Sequence, residues 1–343
     1  MKKLKVLGVT AGNGVCLFPF KNAEEFEIIG NVEPRGVFYD KHQEQWEANF
    51  PNITQYRIPP VKVGRVDIII GHPDCGDSSI LRMSRAKKKG DVKANTSINL
   101  FLNMITAHQP QYWLMENLPG FLDSHSMGEL QSLYPDYTIL PSVKSVAAWG
   151  NSQVTRKRLV IVGVKNPSIQ KFFILKEPPT GQLKYSKAFE LGEHERPEIC
   201  HVREPITKLT NLYYKHLRQI TYSKAQKVWL NEHLGPRWPV GGKMKNQPGV
   251  SRNMLDGYPF TVRKQNRQFG TSGLVLSPRE MANIQGVPRS FELVFHEGQR
   301  IYWINKARLT VTKSMPYEVG RWFMFKIVRA NRYLNEISPA KNK

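Results

Sequence analysis

Cys75 stands in Gly71-His72-Pro73-Asp74-Cys75-Gly76-Asp77-Ser78-Ser79, directly after the apolar run VDIIIG at 66–71. A buried strand of that composition presents the next residues on a loop at its carboxyl end, where open α/β sheets carry their sites. A lone cysteine is most often a small buried hydrophobe, but one flanked there by proline, glycine and polar residues reads as a nucleophile. Glu116 and Asn117 end a second apolar run within 112–121 (YWLMENLPGF). A carboxyl group with a raised pKa at that point can hand a proton to a heterocycle nitrogen, and such protonation is what makes an aromatic ring accept a thiolate. Structural acids at strand ends look the same. Arg156 and Arg158 alternate into the run LVIVGV at 159–164 and so point to one face. They are either ordinary edge charges or two guanidiniums able to hold a phosphate and a carbonyl oxygen.

A second set of residues has the spacing of a nucleotide cradle. The apolar run Leu4–Val9 breaks into Thr10-Ala11-Gly12-Asn13-Gly14. Glycines after a strand let the backbone approach a cofactor closely and aim amides at it, although a plain strand-to-helix turn has the same composition. Glu33 follows the next apolar run, Phe26–Val32, where a carboxylate can accept both ribose hydroxyls of an adenosine cofactor.

These residues need a sheet to hold them. Apolar runs at 4–9, 26–32, 66–71, 112–115 and 159–164 predict buried strands, and apolar spacing around 98–107 and 316–332 predicts helices. Strands alternating with helices give an α/β fold with a mostly parallel sheet. After Gly163 the periodicity fades, and Lys176-Glu177-Pro178-Pro179-Thr180-Gly181 is a cluster of breakers. The expected division is a catalytic and cofactor-binding domain at 1–165, a smaller loop-rich lobe at 166–275, and a segment at 276–343 that returns to the first. Residues 166–270 carry 18 Lys and Arg against 8 Asp and Glu, an excess suited to backbone phosphates. The basic run Arg82, Arg85, Lys87, Lys88, Lys89 beyond Cys75 is either a solvated face or a loop that closes over phosphates.

Composition narrows the partners. With 343 residues the chain exceeds one ordinary core, and its net charge of +22 calls for a polyanion, nucleic acid before others. Three widely spaced cysteines, Cys16, Cys75 and Cys200, suit neither a disulfide framework nor a zinc site. No run reaches the roughly 18 apolar residues of a membrane span, and the start lacks the features of a signal peptide. A cytoplasmic, monomeric protein without a membrane partner or a metal is the expectation.

Taken in order, the motifs resemble the DNA (cytosine-5) methyltransferase family over nearly the whole chain outside the basic lobe. Ala11-Gly12-Asn13-Gly14, with Val15, is similar to the cofactor loop, Asn31-Val32-Glu33-Pro34 to the ribose-binding acid, and Asn52-Ile53-Thr54-Gln55 to the adenine-contacting segment. Gly71–Ser79 resembles the nucleophile loop, Glu116-Asn117-Leu118 the glutamate-asparagine-valine motif, and Gln153-Val154-Thr155-Arg156-Lys157-Arg158 the arginine motif. Leu276-Ser277-Pro278-Arg279-Glu280-Met281-Ala282-Asn283-Ile284-Gln285-Gly286-Val287-Pro288 is similar to the structural motif that follows the target recognition domain. The resemblance implies a Rossmann-like S-adenosylmethionine-dependent methyltransferase sheet, with 166–275 as the target recognition domain on double-stranded DNA. It also implies a flipped base to which Cys75 adds at carbon 6 while Glu116 engages ring nitrogen 3, with Arg156 and Arg158 beside it. S-adenosylmethionine would lie against Ala11–Val15, Glu33, Pro34, Asn52 and Ile53.

The chain departs from the family pattern at Asp74 and Gly76, which flank the cysteine in place of proline and glutamine. Gly8 and Thr10 replace an aspartate and a phenylalanine, and Thr312-Lys313 replaces a glycine-asparagine pair before Ser314. Three other readings follow: transfer RNA as substrate, a different group delivered to carbon 5, and a DNA-binding homologue without activity.

Overall fold

Leu4–Val9 (β1) is apolar because both of its faces are covered, the usual state of a parallel strand at the centre of a sheet. The structure, a computed structural model, describes residues 2–33, 39–57, 63–74, 96–123, 127–150, 156–175, 278–294 and 311–337. β1 pairs in parallel with Phe26–Val32 (β2) on one side and Ile68–Gly71 (β4) on the other, and β2 pairs with the two-residue Gln55–Tyr56 (β3). Tyr112–Asn117 (β5) continues the parallel set, then Lys157–Val164 (β7) runs antiparallel between β5 and Thr138–Ser145 (β6). The strand order is β3-β2-β1-β4-β5-β7-β6. It reverses between β1 and β4, so the loops leaving these two strands open at the switch point, where such sheets bind ligands.

Alternation along each strand splits the core in two. Val6, Ile68, Ile70, Tyr112, Leu114, Val160 and Val162 face one cluster, which takes in Phe18–Lys21 (α1) and the C-terminal helices. Leu7, Val9, Ile69, Trp113, Met115 and Ile161 face the other, covered by Ile98, Phe101, Met104 and Ile105 of Thr96–His108 (α3). Tyr39–Asn49 (α2) joins β2 to β3 and puts Trp46 into the first cluster. Met127–Leu133 (α4) adds Leu130 to the second cluster, while Pro278–Ile284 (α5) and Tyr317–Ile337 (α6) pack on the face of the first. α6 presents Val319, Gly320, Phe323, Ile327 and Ala330, a stripe at helical spacing. The expected strand at 66–71 starts two residues later, because the Asp67 carboxylate instead accepts from the Lys5 amide at 2.9 Å and from Arg65 Nε at 2.6 Å. No helix among the described residues is long and apolar enough to cross a membrane.

β6 escapes a reading by hydrophobic runs, since it is half exposed, contains Pro141 and borders the sheet. Beyond β7, the 3-10 turn Pro167–Phe172 (capped by the Asn166 side chain on Ser168 N, 3.0 Å) sends Ile169 and Phe173 into the first cluster. Residues 176–275, most of the basic lobe, lie outside the described residues.

Gly71 is where β4 must meet β1 without a side chain. A Cβ there would sit 1.7 Å from the Val9 carbonyl oxygen, a backbone atom that cannot rotate away. Gly71→Ala should therefore destabilise the fold by about 3 kcal/mol, the upper range of overpacking costs, as read by urea unfolding. A loss below about 1 kcal/mol would mean that the two strands separate freely at this end.

Candidate active site

The loop after β1 is built by left-handed backbone at Thr10 (φ 55°), Gly12 (60°) and Gly14 (83°). For the glycines this costs little; for a β-branched threonine it is an uncommon conformation that the surroundings must impose. Thr10 N donates to the Val32 carbonyl at 2.8 Å. The Asn31 side chain accepts from Ala11 N at 3.3 Å and donates to the Gly12 carbonyl at 3.2 Å, where Gln55 Nε2 donates as well, at 3.0 Å. Glu33 Oε2 accepts from Gly12 N at 2.8 Å, which brings the acid to the loop. Val15 N donates to Asn13 Oδ1 at 3.5 Å, closing the loop on itself.

The segment of Asn52 and Ile53 reaches the same place through aromatic rings. Trp46 and Phe50 stack with centroids 4.3 Å apart, and Trp46 Nε1 donates to the Ile53 carbonyl at 2.7 Å. A Cβ on Gly14 would meet Phe50 Cε2 at 2.4 Å, so the loop lies directly on these rings. Pro34 is outside the described residues. Asn31 and Gln55 were not singled out individually from the sequence, though both stand inside segments that were. Gln55 Oε1 is buried without a hydrogen-bond partner, an acceptor on the same turn that the Glu33 carboxylate holds. Two acceptors at one glycine turn suit the ribose hydroxyls and ring amine of an adenosine-type cofactor, which donate.

The second half of the site lies at the ends of β4 and β5. Cys75 falls outside the described residues, but the loop leading to it is held at two points. Asp74 N donates to Ser97 Oγ at 2.8 Å, and Asn117 Nδ2 donates to the Pro73 carbonyl at 3.4 Å. Cys16, the cysteine that the structure describes, is buried between β1 and α1, and burial pushes its thiol far above the usual thiol range. It is therefore no nucleophile.

Glu116 is 5 % exposed and lies 2.7 Å from Arg158 Nε. Burial raises its carboxyl above the usual range, and the opposing pulls of Arg158, then Arg156, do not cancel that. A carboxyl that holds its proton more tightly than usual, beside a guanidinium, suits a proton donor. The two arginines do face one side, but they differ. Arg158 pairs with Glu116, whereas Arg156 is 2 % exposed and its Nη2 donates to the carbonyls of Thr312 at 3.4 Å and Ser314 at 3.3 Å.

The C-terminal segment is anchored by its own buried polar groups. Arg279 donates to the carbonyls of Pro288 at 3.3 Å and Phe291 at 2.7 Å, and Gln285 Nε2 donates to Val311 O at 2.9 Å. Asn49 of α2 exchanges two bonds with Glu292, donating at 2.9 Å and accepting at 2.8 Å. The stretch at 278–288 is thus read best as scaffold, since its arginine is spent on backbone carbonyls.

Comparison with known proteins agrees with this geometry. The family model of C-5 cytosine-specific DNA methylase matches residues 4–307. Among solved structures, a DNA modification methyltransferase encoded within an E. coli prophage aligns at 18% identity with a TM-score of 0.60, covering 96% of this chain and 100% of that one. The Entamoeba histolytica methyltransferase EhMeth aligns at 13% identity and 0.60, covering 96% and 99%. The S. pombe Dnmt2 methyltransferase aligns at 14% and 0.53, covering 97% and 100%. Such identities speak for the fold alone. No curated protein matches the chain significantly in sequence. The family match spans both halves of the site and most of the chain, and the chain belongs to the C-5 cytosine-specific DNA methylase family, whose members methylate carbon 5 of cytosine in DNA.

Proposed function

We propose that this chain methylates cytosine in double-stranded DNA as a monomer, by a covalent route through Cys75 on a flipped base, with S-adenosylmethionine as donor. The observation that carries this reading is the Asn117–Pro73 hydrogen bond. It ties the strand end that bears buried Glu116 to Pro73, two positions before Cys75 in the sequence, which supports an acid and a thiol acting at one site.

The chemistry then balances as follows. The Cys75 thiolate adds to carbon 6 of cytosine while Glu116 gives or shares a proton at ring nitrogen 3, which sends electron density to carbon 5. The cofactor, when bound, would supply an electrophilic methyl group on a sulfonium sulfur, whose bond to that methyl breaks to leave a neutral thioether. Once carbon 5 carries that methyl, its proton leaves to water, the carbon–sulfur bond to Cys75 breaks, and Glu116 recovers its proton. Arg158 holds the Glu116 carboxyl in place and supplies a cation beside the base. Ala11–Val15 and Glu33 hold the cofactor, Asn52, Ile53 and Pro34 border it, and the basic region at 166–275 acts as the target recognition domain.

Nucleoside mass spectrometry on DNA and RNA from a modification-free host expressing the protein tests the reading. 5-Methylcytosine in DNA alone is the expected product. The same base in RNA, another group on carbon 5, or no product would each replace the proposal. For the cofactor site, Glu33→Ala should weaken S-adenosylmethionine binding by about 1–3 kcal/mol through lost charge-assisted hydrogen bonds. Calorimetry showing unchanged affinity would put the cofactor elsewhere.

A further inference from the structure

We propose that Arg156 is a positioning residue that does not touch the base, and that together with Ser314 it braces the cofactor loop against the Glu116–Arg158 pair. This rests on the reading above, in which the loop takes the donor and Glu116 the base. Arg156 is buried to 2 % exposure at the entry to β7, and its own carbonyl accepts from Val146 N at 2.8 Å, which fixes its backbone. Its guanidinium reaches the carbonyls of Thr312 and Ser314, the turn that precedes α6. Ser314, itself 5 % exposed, donates from Oγ to Asn13 Oδ1 at 3.0 Å, and Asn13 Oδ1 also receives Val15 N.

The result is a path of buried polar contacts from the entry to β7 to the centre of the cofactor loop. One further contact keeps the path short. Gly320 in the first turn of α6 lies so close to the Cys16 carbonyl that a Cβ would sit 2.2 Å from it, so the turn at 312–316 is pressed onto the loop from both ends. Two arginines two residues apart thus divide the work. Arg158 pairs with the acid, and Arg156 places a single nitrogen, Nη2, between two carbonyls at the far end of its long side chain.

Three variants of the full chain test this, with S-adenosylmethionine as the probe in calorimetry without nucleic acid. Ser314→Ala removes the donor to Asn13 but keeps the carbonyl that Arg156 uses. It should weaken binding about fivefold, the factor that one ordinary hydrogen bond represents, and raise KM for the donor more than it lowers kcat. Ser314→Thr keeps the hydroxyl and should recover most of the loss. Arg156→Lys keeps the charge but ends one bond short of the Nη2 position, and should weaken donor binding at least about fivefold even with no DNA present. Wild-type donor affinity in Ser314→Ala, or in Arg156→Lys with only KM for DNA raised, overturns the brace. Glu33→Ala is the reference: if it weakens binding while those two do not, the brace alone fails, and if it too binds normally, the cofactor site itself is wrong.

Discussion

Cys75→Ser is expected to abolish product, with turnover down by at least about 10⁴-fold, because an alcohol is almost wholly protonated at neutral pH and a weak nucleophile towards carbon 6. The test has two readings. Transfer of labelled methyl to a cytosine-containing duplex measures the rate, and a duplex carrying 5-fluorocytosine measures the bond. Fluorine at carbon 5 cannot leave as a proton does, so the adduct accumulates on wild-type protein and survives denaturing electrophoresis. The serine variant should form none, even though Cys16 is intact in it. Since Cys16 is buried and its thiol is pushed well above the usual range, it has no means of taking over. Turnover by the serine variant within tenfold of wild type would remove Cys75 from the chemistry.

Glu116→Gln should lower kcat by about 10²–10⁴-fold, the range general acid catalysis supplies, with a smaller effect on binding. Its signature is in pH. Burial raises the folded-state pKa of Glu116 above its unfolded value, with Arg158 and then Arg156 only partly offsetting this. The acid form is therefore present at and below the ordinary glutamate range and is lost as pH rises through the raised value. Activity that depends on the proton should fall on that alkaline side. Stability follows the same sign: the folded state binds the proton more tightly, so its contribution is complete below the unfolded pKa and disappears as pH climbs through the folded one. In Glu116→Gln both dependences should vanish from that window. A pH–stability curve of the variant that overlays the wild type would remove the raised carboxyl, and an unchanged kcat would show that Glu116 only pairs with Arg158.

Asp74 changes meaning once its own backbone is placed. From the sequence, proline at this position looks like the neutral, family-like replacement, free of a carboxylate beside the thiol. The Asp74 amide, however, donates to Ser97 Oγ at 2.8 Å, and proline has no N–H to give. Replacement by asparagine keeps that bond while removing the charge, so it is the cleaner probe of the carboxylate.

Much of the framework was legible in the chain itself. β1 and β2 begin and end where their apolar runs do, and β5 and β7 carry Glu116 and Arg158 at the carboxyl and amino ends that those runs imply. Strands buried on both faces write themselves as continuous apolar segments, and a glycine-rich turn after the first needs left-handed backbone wherever the fold occurs. Cys75 was found the same way, from composition at a strand's end, and it remains a sequence assignment. What one-dimensional pattern does not hold is which polar group meets which across more than a hundred residues. β6, half-exposed at the sheet's border, has no run to betray it. Arg156 and Arg158 look equivalent two positions apart, yet residues 312 and 314 claim one and Glu116 claims the other. The raised carboxyl of Glu116 is likewise a property of burial, which depends on every element packed around it, so only the assembled tertiary structure could decide it.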